Sequence, residues 1–172
     1  MTIEEAISLI REGVPDAAES TQWADLGCGS GLFTNALATL LGKGNHILAV
    51  DLKSSLIIES NPAAASIRFY QLDFEKQKLP AAEMDGILMA NALHYVKDKI
   101  PFVEKLRATL NKNGRIVLVE YDTERSNQWV PYPINFWRSV ELFSSLGFRS
   151  VTKIGERKSV YQSGIMYASL IL

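Results

Sequence analysis

Residues 23–31 read WADLGCGSG, with three glycines at alternating positions directly after a short apolar run. The run over residues 21–26 predicts a β-strand, and the helical periodicity that begins at Phe33 predicts a helix directly after the glycines. Because glycines have no side chains, a ligand can approach this turn closely, and the first N–H groups of the helix can face a negatively charged group. A tight turn that binds nothing is the alternative interpretation.

Outward from this turn, short apolar runs alternate with helical patterns, which is typical of βαβ units and a parallel sheet. The last two strand patterns are separated by only a short polar turn, which leaves no room for a crossover helix, so they must pair antiparallel. The predicted strands are 21–26, 46–51, 66–73, 84–91, 115–121, 148–155 and 159–172. Five helices are predicted. The first is capped by Thr2 and Glu5, the second follows the glycines, and the third is a short helix over 54–60. The fourth has Pro101 in its first turn and ends before an Asn113-Gly114 turn, and the fifth runs from Phe136 to Leu146 and is followed by Gly147.

Composition bounds the class of protein. The chain has 172 residues, 47% of them apolar, which suits a single domain over 1–172. A net charge of −1 favours a small or neutral partner over a nucleic acid or an anionic membrane. The single cysteine, Cys28, and the lack of a Cys/His cluster indicate no metal site and a reducing compartment. With an acidic N-terminus unlike a signal peptide and no long apolar run, we expect a soluble cytoplasmic protein.

Two aspartates follow the next strands in the same register as the glycine turn. Asp51 ends the second predicted strand, where a carboxylate can accept hydrogen bonds from both hydroxyls of a ribose. Asp73 ends the third and, with Phe74, offers an acceptor for an exocyclic amine and an apolar face for a base. Either aspartate alone is typical of a solvated strand end. Both at one sheet edge beside the glycines predict a nucleoside site.

The motifs together resemble those of the small class I S-adenosylmethionine (SAM) dependent methyltransferases, over nearly the entire chain from Gln22 to Leu172. Each motif is weak by itself, and their order along the chain makes the set specific. The similar segments are ADLGCGSG at 24–31, AVDLK at 49–53, QLDFEKQKLP at 71–80, DGILMANALHYVKD at 85–98, LRATLNKNGRIVLVEYD at 106–122 and LGF at 146–148.

The resemblance implies an α/β, Rossmann-like fold whose mostly parallel seven-stranded sheet has the order 3-2-1-4-5-7-6, with strand seven antiparallel and helices on both faces. It implies SAM as the cofactor, S-adenosylhomocysteine (SAH) as its product, and no metal. It also implies that Asp25, Gly27 and Gly29 hold the amino-acid part of SAM, Asp51 the ribose and Asp73 the adenine amine, and that Asn91 lines the cleft. We place Cys28, Gly31, Leu52 and Phe74 among the cofactor-binding residues as well.

Two rival functions share the glycine turn. A dinucleotide-binding dehydrogenase requires glycine or alanine three positions after the second glycine, where this chain has Leu32, so the sequence disfavours NAD. A non-catalytic, methyltransferase-like subunit that binds SAM and serves a partner protein stays open, because activity could be lost in the acceptor pocket alone.

The acceptor is predicted to be a small, partly apolar molecule. His94, beyond the fourth strand, and Tyr121 are candidate catalytic groups, and a packing or capping histidine is the alternative for His94. Tyr95, Trp129 and Tyr132 are candidate substrate-binding residues, with ordinary half-buried packing as the alternative. His46 precedes the second strand and is expected to face away from the site. The acceptor atom and the oligomeric state are left open by the sequence.

Overall fold

The computed structural model describes residues 1–16, 20–158 and 164–172. Within them the strands are β1 (Gln22–Leu26), β2 (His46–Asp51), β3 (Ser66–Gln71), β4 (Met84–Ala90), β5 (Leu110–Tyr121), β6 (Val151–Lys158) and β7 (Ile165–Ile171). The helices are α1 (Ile3–Ile10), α2 (Leu32–Leu41), α3 (Lys99–Thr109) and α4 (Phe136–Ser145), with 3-10 turns at Arg11–Gly13 and Leu93–Tyr95.

The strands form a seven-stranded sheet in the order β3-β2-β1-β4-β5-β7-β6 within the described residues. β1 pairs parallel with β2 and β4, and β7 pairs antiparallel with both β5 and β6. The predicted Rossmann-like order and the antiparallel terminal pair are therefore confirmed. Strand order reverses around β1 and β4, and in open α/β sheets this is the point where a crevice opens beyond the carboxyl ends of the strands.

Apolar side chains cover both faces of the sheet, so its central strands are buried on both sides. In β5, Ile116 and Leu118 pack on the side of α3 and α4, whereas Val117 and Val119 pack on the side of α1 and α2. This period of two divides the core into two layers that hold the sheet between helices. The carboxyl ends of β1, β2 and β4 are thereby fixed relative to one another.

The segment 54–60 is not a helix, and the prediction of a short helix there was wrong. It runs as an extended strap across the glycine turn, where the Ile57 N–H donates to the Ser30 carbonyl (3.0 Å) and the Ser55 hydroxyl to the Gly29 carbonyl (3.0 Å). The Asn35 side chain in α2 donates to the Ile57 carbonyl and accepts from the Glu59 N–H. These tertiary hydrogen bonds compete successfully with one short turn of helix, whose nucleation is unfavourable.

Two further predictions differ from the structure. The expected turn at Asn113-Gly114 lies inside β5, which begins at Leu110 and is irregular where its pairing with β4 shifts register. The sixth strand begins and ends three residues later than the expected 148–155. The start of the last predicted run, residues 159–163, lies outside the described residues. Strand ends depend on pairing with neighbours, which local sequence patterns do not encode.

Candidate functional site

A cavity of about 640 Å³ opens at the carboxyl ends of β1, β2 and β4, and we call it the glycine cavity. It brings together most of the residues predicted to bind a nucleoside. Its wall consists of Met1, Asp25, Gly27, Cys28, Gly29, Ser30, Leu32, Phe33, Asp51, Leu52, Lys53, Phe74, Ala90, Asn91, Ala92 and Tyr95. Its volume is within the range of small-molecule and cofactor sites, roughly 300–1,000 Å³.

The glycine turn needs glycines for two physical reasons. Gly27, Gly29 and Gly31 have φ angles of 81°, 53° and 97°, in the left-handed region that side chains disfavour. A Cβ on Gly27 would lie 2.6 Å from that of Ala92, whereas a Cβ on Gly29 would point into open space. Gly31 caps α2 without a side-chain hydrogen bond, so the first N–H groups of α2 remain available at this edge.

The carboxylate of Asp51 is held by backbone groups on both sides. Its Oδ2 accepts from the N–H of Gly29 (2.9 Å) and its Oδ1 accepts from the N–H of Lys53 (2.9 Å). Two oxygens offer about four lone-pair sites, so capacity for a ligand's hydroxyls remains. Asp51 therefore links β2 to the glycine turn and presents a fixed acceptor to the cavity, and Leu52 beside it is exposed.

Asp25 places a buried carboxyl group at the back of the glycine cavity. Its Oδ2 accepts from the Thr34 hydroxyl (2.6 Å), and its Oδ1 has no hydrogen-bond partner among the described residues. Burial, and to a lesser degree the charge of Asp51, raises the pKa of Asp25 from 3.8 to about 7. Burial also raises the pKa of the neighbouring Cys28 thiol to about 12, which makes this thiol unreactive.

Asn91 stands at the end of β4 in a strained conformation. Its φ is 54°, and its backbone N–H donates to the Val119 carbonyl (2.8 Å). Its side-chain Oδ1 is buried and has no partner in the part of the chain that the structure describes. Left-handed geometry at a residue other than glycine and an unpaired buried oxygen both cost free energy, and such features concentrate at functional sites. The sequence indicated Asn91, but only the structure shows this strain.

Asp73 is not brought into the wall of the glycine cavity, although Phe74 is. The Asp73 carboxylate accepts from the backbone N–H groups of Glu75 and Lys76 and pairs with the Lys76 ammonium (2.9 Å). The Lys76 side chain and these backbone groups hold the pKa of Asp73 below its usual range. Phe74 packs against Phe102 in α3, with ring centroids 5.7 Å apart.

A second cavity, of about 630 Å³, lies next to the first, and we call it the aromatic cavity. Its wall consists of Asn91, His94, Tyr95, Tyr121, Asn127, Trp129 and Val130. Asn91 and Tyr95 belong to both cavities, which are therefore contiguous. Of the predicted substrate-binding residues, Tyr132 is absent from this wall. Its backbone N–H donates to the His94 carbonyl, and the Lys99 ammonium lies 5.8 Å from its ring centre.

His94 forms a buried pair with Glu120, a residue that sequence reasoning missed. Nδ1 of His94 lies 2.7 Å from Oε2 of Glu120, and the backbone N–H of His94 donates to Oε1 (3.1 Å). The side chains of both residues are at most 2% exposed. The signal was an acid directly after the apolar run IVLV at 116–119, because a buried carboxylate requires a partner. His46, in contrast, is exposed at the opposite end of β2 and bonds Ser66.

A doubly wound sheet of this order, with a glycine turn and an aspartate at neighbouring strand ends, defines the class I SAM-dependent methyltransferase fold. A sequence profile described as a methyltransferase domain matches residues 24–118, which is more than half of the chain. The chain therefore belongs to this methyltransferase family.

Known methyltransferases are similar to this chain, one in sequence and two in fold. An uncharacterized methyltransferase of Mycobacterium tuberculosis (strain H37Rv) is 28% identical over 109 residues, covering 61% of this chain and 54% of its own. The chain thus spans about half the length of the curated relatives it matches. An arsenic(III) SAM methyltransferase of Chlamydomonas reinhardtii superposes with a TM-score of 0.71 at 13% identity, covering 99% of this chain and 72% of its own. CalO1, a methyltransferase of calicheamicin biosynthesis solved with SAH, has a TM-score of 0.71 at 16% identity, covering 99% and 53%.

Among the described residues there is neither a membrane-spanning helix nor a metal-binding cluster. Every helix among residues 1–16, 20–158 and 164–172 is too short or too polar to cross a bilayer. In the same part of the chain, no group of three or more His, Cys, Asp or Glu side chains is arranged to hold a metal ion.

Proposed function

We propose that this chain transfers a methyl group from SAM to a small, partly apolar acceptor, with SAM in the glycine cavity and the acceptor in the aromatic cavity. The observation that carries the proposal is the contact between the two cavities at Asn91 and Tyr95. A methyl donor in one cavity and a methyl acceptor in the other would therefore be direct neighbours.

The residues of the glycine cavity fit a cationic nucleoside. The partnerless oxygens of Asp25 and Asn91 are buried acceptors that lack a donor, and the ammonium group of SAM is a donor. Asp51 would hold the ribose hydroxyls, and Phe74 would supply an apolar face to the base. We keep the adenine amine as the proposed ligand of Asp73, although its carboxylate bonds to its own turn in this structure. When bound, SAM supplies an activated methyl group.

The work left to the chain is alignment and exclusion of water. Holding two reactants in a reactive geometry can contribute roughly 7–11 kcal/mol to lowering a barrier. Tyr95 and Asn91 stand where the two molecules would meet, and Tyr121 and His94 also line the cavity proposed for the acceptor. No metal is needed for these tasks, and we propose that none is used.

Calorimetry separates the proposal from its rivals. We expect SAM and SAH to bind the purified chain in the micromolar range, and NAD and NADP to give no heat. A dehydrogenase would show the reverse pattern, which would overturn the proposal. A non-catalytic partner subunit would bind SAM but transfer no label to any member of a small-molecule acceptor screen run with methyl-labelled SAM.

Trp129 offers a matched test of the aromatic cavity. It is 69% exposed and lines the cavity, whereas Trp137 is equally exposed but lies outside it. We expect Trp129→Ala to raise the KM for the best acceptor of the screen about tenfold, since an aromatic contact contributes about 0.5–1.5 kcal/mol beyond its buried area. The change should leave kcat and thermal stability nearly as they were. An equal effect of Trp137→Ala on KM would argue against this position for the acceptor.

The remaining proposals concern cellular context. A net charge of −1 and a mixed-charge surface support a small-molecule partner, with no nucleic acid and no membrane as ligand. We propose a cytoplasmic location, in keeping with the reduced, buried Cys28.

A further inference from the structure

His94, which is paired with the buried Glu120, lies in the wall of the aromatic cavity and does not line the glycine cavity proposed for SAM. Glu120 lies in β5 and His94 lies in the 3-10 turn that follows β4, and two hydrogen bonds join the two residues. A carboxylate that clamps both the backbone and the ring of one histidine fixes the orientation of that ring. It therefore sets which ring nitrogen is available to a ligand.

The hydrogen bonds determine that nitrogen. An ionised carboxylate accepts only, so Nδ1 of His94 is the nitrogen that donates to Glu120, which leaves Nε2 as the ring nitrogen that can accept a proton from a ligand. The rings of Tyr95 and Tyr121 lie 4.4 and 5.9 Å from the imidazole, centre to centre, and keep it from rotating. Nε2 is thus a fixed proton acceptor on a cavity-lining residue, and Glu120 stabilises the imidazolium that forms when it gains a proton.

The wall of the cavity also restricts the acceptor. It presents aromatic rings, two amides and the imidazole, and among the residues that the structure describes it contains no carboxylate to hold a cation. Glu120 is fully buried behind His94 and is already paired. A flat molecule with an acidic hydroxyl fits these groups, because the rings offer apolar faces and the imidazole and amides offer hydrogen bonds.

We propose that the acceptor is a hydroxyl compound with a weakly acidic O–H, a phenol or an enol, and that His94, positioned by Glu120, removes its proton. This inference rests on the proposed methyl transfer. The acceptor oxygen forms a bond to the methyl carbon as the bond between that carbon and sulfur breaks. Sulfur keeps the electron pair of the broken bond, and the hydroxyl proton passes to Nε2 of His94. His94 is the catalytic residue and Glu120 a positioning residue.

A direct test uses 4-nitrophenol without SAM, because its phenolate absorbs in the visible and reports proton removal without turnover. In the wild type we expect binding to lower the apparent pKa of the probe by about one unit, since a hydrogen bond to the charged form favours that form. His94→Gln should abolish this shift and Glu120→Gln should reduce it. Among the described residues, the other titratable groups around the pair are Tyr95, Tyr121, Lys99 and Tyr167, and all of them are retained in both variants.

His46→Gln is the matched control, because the chain has two histidines and His46 lies in neither cavity of the site. It should behave as the wild type in every measurement. The absence of a spectral shift in the wild type, or an unchanged shift in a folded His94→Gln variant, would overturn the proposal. An unchanged shift in Glu120→Gln with a lowered melting temperature would show that Glu120 has only a structural role.

The acceptor class has its own test in the wild type, so the proposal does not depend on whether a variant folds. With methyl-labelled SAM, we expect phenols to be methylated at least about 100-fold faster than anilines of the same shape, in line with the effect of a positioned base. Preference for the amines would overturn it. Failure of SAM itself to bind in calorimetry would instead refute the proposed methyl transfer, so the two failures are distinguishable.

Discussion

Replacing Asp51 by alanine is expected to weaken SAM binding at least about 100-fold. Hydrogen bonds to a charged group are each worth roughly 1.5–3 kcal/mol, and this carboxylate can accept two from a ribose. It also accepts the N–H of Gly29, so its loss frees the turn that approaches the ligand. Calorimetric titration of SAM into the variant measures the effect directly.

Asp85→Ala is the control for the loss of a hydrogen bond between a carboxylate and the backbone. Its carboxylate also accepts a backbone N–H from a neighbouring strand, that of Gln22 (2.8 Å), but it lies at the opposite end of the sheet. Asp85→Ala should therefore lower the melting temperature while leaving SAM affinity within about twofold of the wild type, because no ligand contact is lost. Equal loss of affinity in the two variants would mean that general destabilisation, not ribose binding, explains the result.

Asp73→Ala measures how much a strand-end aspartate contributes to SAM affinity when its carboxylate is hydrogen-bonded within its own turn. In this structure Lys76 and the local backbone occupy the carboxylate of Asp73. We expect a loss of at most about tenfold in SAM affinity, since a hydrogen bond from Asp73 to an adenine is offset by the local hydrogen bonds and the ion pair that the side chain must give up. A loss as large as that of Asp51→Ala would show that Asp73 turns into the cavity when the ligand binds.

The order of the sheet was predictable because it follows from local patterns and chain connectivity. Buried strands such as β4 appear as continuous apolar runs, and the short turn before β7 leaves antiparallel pairing as the remaining choice. Both signals lie within a few residues of the elements that they define.

The site was predictable where a residue acts through its position at a strand end. Asp51 and the three glycines were identified in this way, and the structure places Asp51, Gly27 and Gly29 in one wall, whereas Gly31 caps α2 and does not line the cavity. Glu120 was missed because its role depends on His94, which is 26 residues away in the chain. The strap over 54–60 was misassigned for the same reason, since the Asn35 side chain that anchors it belongs to another element.

Asp25 should make the folded state less stable as the pH rises from about 4 to 7. Its pKa is raised from 3.8 to about 7, so between these values the folded chain holds a proton that the unfolded chain has lost. The folded state binds more protons, and its free energy of unfolding therefore falls with rising pH. The difference of about three units between the two pKa values corresponds to about 4 kcal/mol of folding stability, all of which is lost above pH 7.

Asp25→Asn removes this titration and should stabilise the chain most at alkaline pH. In urea unfolding without SAM, we expect the gain over the wild type to grow by roughly 2–3 kcal/mol between pH 5 and pH 8. Asp98→Asn, which removes an exposed carboxylate at the start of α3, is the matched control and should show no such growth. A constant difference between Asp25→Asn and the wild type at both pH values would contradict a buried, protonated Asp25.

SAM binding should release the proton that Asp25 holds in the free protein. This release connects the effect of Asp25 on stability to its proposed role in the site. The positive charge of SAM beside the carboxylate favours the ionised form, so binding at pH 6 should release up to one proton from the wild type and none from Asp25→Asn. Calorimetry in buffers of different ionisation enthalpy measures this release. Burial of the ionised Asp25 carboxylate would then cost free energy in the free protein. Ligand binding would offset this cost, since the partnerless Oδ1 gains a hydrogen-bond donor. Binding of SAM without proton release from the wild type would show that Asp25 does not contact the cation.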